Sequence, residues 1–143
     1  MNVNIVFPSV ILAVFLSLQL TQCSPQKEGR WYTPENVAQG KTVFQNNCAQ
    51  CHGMNAEGNA DWKTPLPDGS YPPPPLNGSA HAWHHSMSVI KRTIDYGGVP
   101  VGGTMPGFKD KLTDDEKNAA VAYFQSFWDD EKYRVWLDRG GLD

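Results

Sequence analysis

The chain lacks an excess of either charge: among 143 residues, 12 Lys and Arg stand against 15 Asp and Glu, a formal net charge of −3. Such a balance gives neither a basic face for nucleic acid nor a long acidic tail, so polymer binding is unsupported. Lys and Arg are missing altogether before Lys27. Cysteine is scarce, and the three present, Cys23, Cys48 and Cys51, cannot all pair, although an unpaired thiol is a liability in an oxidising compartment. A bridge between Cys48 and Cys51 would close almost no loop, which argues against a disulfide-stapled domain. No alternating strand and helix pattern surrounds these cysteines, as a thioredoxin-like redox pair would require. The length allows one compact domain with a real core and not two ordinary ones.

Of what is present, residues 5–20 are apolar apart from Ser9, Ser17 and Gln19 and are interrupted by Pro8. A membrane span needs about 20 residues, so the segment reads as an export signal over residues 1–22. Leu20-Thr21-Gln22-Cys23 resembles the lipobox of bacterial lipoproteins, with Gln22 where a small residue is usual. That resemblance implies cleavage before Cys23 and its acylation as a membrane anchor. An uncleaved helical anchor, or cleavage elsewhere without lipid, are the alternatives. All three put residues 31–143 outside the cytoplasm, on the periplasmic side of a bacterial membrane, with residues 23–30 as a tether.

The central motif is Cys48-Ala49-Gln50-Cys51-His52. This is the spacing by which two thiols add to haem vinyl groups while the next residue's imidazole reaches the iron. Two intervening residues set both sulfurs along one porphyrin edge, and His52 can turn beneath the ring toward its centre. A zinc site could instead combine Cys48 and Cys51 with His81 and His84, but it would leave His52 and the methionine considered next without roles.

Haem iron with one histidine needs a sixth ligand or an open face. Gly102-Gly103-Thr104-Met105-Pro106-Gly107-Phe108 offers Met105 in a glycine-rich, proline-fixed loop, 53 residues after His52. Met54 is too close to the attachment motif to cross to the other face, Met87 sits in an expected helix, and Met1 goes with the signal. Core filler is the ordinary role of a lone methionine. A glycine-rich, proline-followed position makes ligation the better account.

With these parts in order, the chain resembles the class I cytochromes c over roughly residues 31–128. Thr33 and Pro34 open a first helix bearing Gly40 and Phe44 one turn apart just before the motif. Thr113-Asp114-Asp115-Glu116 is a capping box for a last helix whose apolar stripe runs through Ala120, Tyr123, Phe124 and Phe127. Between them residues 86–96 read as a short helix capped by Ser86, with Met87, Ile90 and Ile94 on one face, ended by Gly97 and Gly98. The resemblance implies an all-α fold of four or five short helices around one covalently bound haem, with a C-terminal helical extension from about residue 129. It also implies that Gly40 lets the first and last helices cross closely. Pro74-Pro75-Leu76 is similar to the family's proline loop, where a proline carbonyl accepts the bond of the ligand imidazole. Pro74 is the expected acceptor, although four prolines occupy residues 72–75 and a plain spacer is the alternative for the rest.

Beyond the minimal pattern, Tyr133, Trp136 and Leu137 lie at helical spacing and are expected to dock a terminal helix, with partner binding as the other reading. His81, Trp83, His84 and His85 occupy the stretch that in the family runs past the haem propionates. His81 and Trp83 can donate hydrogen bonds there. A satisfied loop cluster, or a second metal held by His81, His84 and His85, are the other readings. The expected function is extracytoplasmic single-electron transfer by one His52/Met105-ligated haem c, an electron-transfer protein rather than an enzyme. Redox proteins would be its donor and acceptor. The alternatives are the electron-accepting subunit of a periplasmic oxidoreductase and a metal-handling haem protein.

Overall fold

Two capping boxes start the two principal helices. Thr33 Oγ1 accepts the Asn36 amide at 3.3 Å while Asn36 Oδ1 accepts the Thr33 amide at 2.9 Å, opening α1, Pro34–Asn47. Thr113 and Glu116 exchange the same pair of bonds at 3.2 and 2.8 Å to open α4, Asp114–Gln125. Each box satisfies two amides that a helix cannot bond internally. In this computed structural model, which describes Met1 and residues 29–143, the remaining helices are the single turn α2, Ala49–His52, then α3, Met87–Tyr96, and α5, Asp130–Asp138. Tight 3-10 turns cover Ala82–His84 and Val99–Val101. Among the described residues there is no strand, only a single parallel bridge between Tyr71 and Gly103. The architecture is all-α, the class I cytochrome c fold. The expected export signal and Cys23 lie outside the described residues.

The α1–α4 crossing dominates the packing. A β carbon at Gly40 would fall inside the van der Waals shell of the Ala119 carbonyl and 3.1 Å from Tyr123 Cβ, so only glycine permits this approach. One turn on, Phe44 is buried against Tyr123 with ring centroids 5.2 Å apart. Helix α4 is buried over most of its surface, from Ala119 to Gln125, because other elements cover the faces that α1 leaves. The stripe departs from expectation at Phe127. The helix stops at Gln125, where Ser126 Oγ bonds the Tyr123 carbonyl at 2.7 Å and the chain turns. Phe127 is thereby left 39% exposed, and Trp128 is driven inward instead, fully buried with its Nε1 donating to the Leu76 carbonyl at 2.8 Å.

The C-terminal extension docks as expected. Tyr133 and Trp136 are buried, Leu137 is half-buried, and Trp136 Nε1 donates to the His85 carbonyl at 2.8 Å. Arg30 reinforces it from the other end of the domain. Its guanidinium is buried, lies 3.9 Å from the Tyr133 ring centroid, and bonds Asp130 at 2.7 Å and the Trp128 carbonyl at 3.2 Å. The packed structure thus begins at least one residue ahead of the expected start at residue 31.

Gly40→Ala is expected to lower stability by about 1–3 kcal/mol, because overpacking against a rigid backbone carbonyl outweighs the ~1 kcal/mol that alanine gains in a helix interior. Guanidinium unfolding of the haem-bearing protein measures this, and a raised midpoint would contradict the crossing.

Candidate functional site

The α1 helix hands directly into the site. Cys48 closes α1 by donating its amide to the Phe44 carbonyl at 2.8 Å and is also the N-cap of α2, so Phe44 in the core fixes where the motif starts. Cys48 and Cys51 lie three residues apart on one helical turn, hence on one side of it. Cys48 is half-buried, Cys51 is exposed, and they are not joined by a disulfide. Burial, with a smaller push from Cys51, raises the Cys48 thiol to about 11. A redox-active cysteine needs the opposite shift, toward thiolate, so this environment disfavours that alternative.

His52 is buried, 7% exposed, and its Nδ1 lies 2.9 Å from the Pro74 carbonyl. A carbonyl oxygen can only accept, so Nδ1 carries the proton and Nε2 keeps its lone pair. Burial holds the ring below the usual histidine range, opposed in part by the Pro74 bond, and favours the neutral form that a metal ligand requires. Of the four prolines, Pro74 is thus the one whose carbonyl bonds His52. Its position is set by the turn after His52, which sequence reasoning missed. Ala56, with φ of 57°, offers its carbonyl to the Leu76 and Asn77 amides at 2.8 and 3.1 Å, and Asn59 donates to the Pro73 carbonyl at 2.8 Å. Gly58, at φ of 55°, lies under the loop: a β carbon there would sit 2.5 Å from the Pro74 carbonyl carbon. Glycine at that place in the turn was the available signal.

Met105 lies in a loop fixed by backbone bonds. Its carbonyl accepts the Gly98 amide at 3.0 Å, Gly103 donates to the Gly98 carbonyl at 2.9 Å, and a β carbon on Gly97 would collide with the Met105 carbonyl. The side chain is half-buried beside Val43, Phe108, Leu112 and Ala120. The Tyr71 amide donates to the Gly102 carbonyl at 3.0 Å. This joint ties the loop that carries Pro74 to the loop that carries Met105.

The histidine cluster does not converge. His81 stacks on Trp62 at 4.6 Å and meets His85 edge-on at 5.2 Å, while the exposed His84 packs against Trp83 at 4.0 Å. Arg139 lies 5.9 Å from the Trp83 ring centroid. Among the described residues no three His, Cys, Asp or Glu side chains are grouped to hold a metal ion. Burial, helped by the neighbouring imidazoles, lowers His81 and His85 below the usual histidine range. His81 Nδ1 is buried without a hydrogen-bond partner. Ser86 makes no side-chain capping bond to α3, contrary to expectation. Among the described residues no helix is long and apolar enough to cross a membrane.

A buried imidazole with its lone pair free, set immediately after two cysteines on one turn, fits an axial ligand of a thioether-bound haem. Comparison with known proteins agrees. Residues 35–124 match the family described as cytochrome C oxidase, cbb3-type, subunit III. The chain is similar to the cbb3-type cytochrome c oxidase subunit FixP of Sinorhizobium medicae (strain WSM419), at 33% identity over 96 residues, 63% of this chain and 29% of that protein. Its similarity to the subunit FixP of Rhizobium meliloti (strain 1021) is 33% over 94 residues, 65% of this chain and 28% of that protein. The chain therefore spans under a third of the length of these curated relatives. No solved structure matches it. Helical architecture, motif and match over residues 35–124 together make this chain a member of the cbb3-type cytochrome c oxidase subunit III family, an electron-transfer c-type cytochrome whose cofactor is covalently bound, iron-containing haem c.

Proposed function

We propose that this chain is a one-haem electron relay in which Cys48 and Cys51 form the thioether bonds and His52 and Met105 are the axial ligands. The observation that carries this reading is the His52 Nδ1 to Pro74 contact, which leaves Nε2 as the one ring nitrogen able to ligate. Bound haem c supplies one-electron chemistry between ferrous and ferric iron. Pro74 keeps the His52 ring from rotating, and burial keeps it neutral. Met105, held by its loop, would close the second face to exogenous ligands, which favours electron transfer over catalysis and raises the potential. His81 and Trp83 are assigned to the propionates, supported by the buried Nδ1 of His81 that has no partner within the protein. A haem stain that survives denaturation tests the thioether bonds; loss of the stain would sink the reading.

The relatives' names as oxidase subunits support a terminal oxidase as the electron acceptor, with a redox protein as donor. The chain would meet them on the periplasmic side, tethered through acylated Cys23 or an uncleaved anchor. The metal-handling reading has no three-ligand group among the described residues to support it.

Three outcomes check the assignment. Met105→Ala should keep haem attached, lower the potential and let the ferrous protein bind carbon monoxide; persistence of the long-wavelength methionine-to-iron band would transfer the role to Met54 or Met87. Cys23→Ser should release the cytochrome from membranes into the soluble fraction with an unchanged spectrum, and a variant that stays bound would assign anchoring to residues 5–20. His81→Ala or Trp83→Phe should shift the potential or its pH dependence while the axial-ligand bands stay in place; an unchanged potential in both variants would remove them from the site.

A further inference from the structure

We infer that residues 139–143, beyond α5 and beyond the residues matched to the family, position the methionine loop by capping α3; the inference rests on Met105 being the sixth ligand. The first amides of a helix have no partner within it. Ser86 at the N-cap supplies none, since its hydroxyl pairs with Ser88 Oγ at 2.9 Å. The returning C-terminal segment does so instead. The Gly141 carbonyl accepts the Met87 amide at 2.7 Å and the Asp143 carbonyl accepts the Ser88 amide at 3.1 Å.

The segment is shaped for this. Gly140 takes a φ of 77°, and Gly141 donates to the Trp136 carbonyl at 2.9 Å. A β carbon on Gly141 would run into the buried Trp136 ring and lie 2.6 Å from that carbonyl. Trp136 in turn bonds the His85 carbonyl, just before the cap. The return is therefore anchored in the core at the point where it meets α3.

The far end of α3 carries the methionine loop. The Ile94 and Asp95 carbonyls accept the Phe108 and Lys109 amides at 2.8 and 3.2 Å, and Gly107 passes so close that a β carbon would sit 2.5 Å from the Asp95 carbonyl. Along its length α3 is held by Ile90, its one buried residue, by the half-buried Met87 and Ile94 on the core, and by ion pairs from Asp95 to Lys117 at 2.6 Å and from Lys91 to Asp114 at 3.8 Å. Ten residues make a helix that is marginal without tertiary support. Release at the N-terminal end is therefore transmitted as fraying or displacement to the end that holds Met105.

The test uses the haem-bearing full chain, a variant lacking residues 140–143, and the same deletion carrying Ser86→Asp, whose carboxylate supplies the missing cap in the extended N-cap conformation that Ser86 already has. The deletion should lose the methionine-to-iron band at a temperature well below global unfolding and bind carbon monoxide in the ferrous state at least tenfold faster. Ser86→Asp should restore most of both. Band and carbon monoxide binding within twofold of the full chain overturn the inference, as does a weakened band that Ser86→Asp leaves unrecovered. Where the deletion does not accumulate folded, Gly141→Val gives the same readouts. Met105→Ala run alongside separates the two ideas: if it keeps the band, the ligand assignment fails, and if it alone loses the band, the capping inference fails.

Discussion

At the crossing of α1 and α4, the Gly40 backbone lies against the Ala119 carbonyl with no room for a side chain. Everything around the site is placed from that contact. It sets Phe44 on Tyr123, and Phe44 accepts the amide of Cys48, so the start of the attachment turn is fixed by the core rather than by its own four residues. Tyr123 then reaches across with its hydroxyl to the Met54 carbonyl at 2.8 Å, holding the chain just after His52. A short helical turn would not be stable alone, and here both of its ends are tied to the α1–α4 pair.

Two loops support the proposed ligands, one bonding His52 of α2 through Pro74 and the other carrying Met105, and each is tied down by backbone bonds and close-packed glycines. Ala56 in the left-handed region carries a cost of about 1–2 kcal/mol, offset by two carbonyl bonds to the proline loop. The Tyr71 amide then links that loop to Gly102. Pro74 lies three positions after Tyr71, and Met105 three positions after Gly102. The loop that bonds His52 and the loop that carries Met105 are thus joined to one another.

The principal helices and their caps were legible in the sequence because each is local: Thr33 with Pro34, Thr113 with Glu116, and glycines after Tyr96. So was the pairing of His52 with Pro74, because the proline run was read beside the motif. The stripe misled at Phe127 because continuing the helix one turn would have withdrawn Trp128 from the core, and burying that indole with its hydrogen bond to Leu76 outweighs exposing Phe127. Ser86 misled because N-cap chemistry was read locally, whereas carbonyls more than 50 residues away supply the bonds. Gly58, Tyr71 and Arg30 went unread for the same reason. Each acts through a partner far along the chain or through backbone geometry, and neither leaves a periodic trace.

The C-terminal extension, together with Trp128 at its root, has more bearing on the site than its position at the edge of the minimal pattern implies. Trp128 and Trp136 are both fully buried, their rings 6.0 Å apart, and aromatic burial of this size contributes about 4–6 kcal/mol each as an upper bound before entropy. Neither indole spends its N–H within the extension. One bonds the Leu76 carbonyl at the end of the proline loop, and the other bonds the His85 carbonyl ahead of α3. The extension therefore grips the chain on the His52 side through Trp128 and on the Met105 side through Trp136 and the return at Gly141. A fold with so few residues in regular structure between α2 and α4 needs that grip, since the loops around Pro74 and Met105 have no sheet and no long helix of their own to lean on.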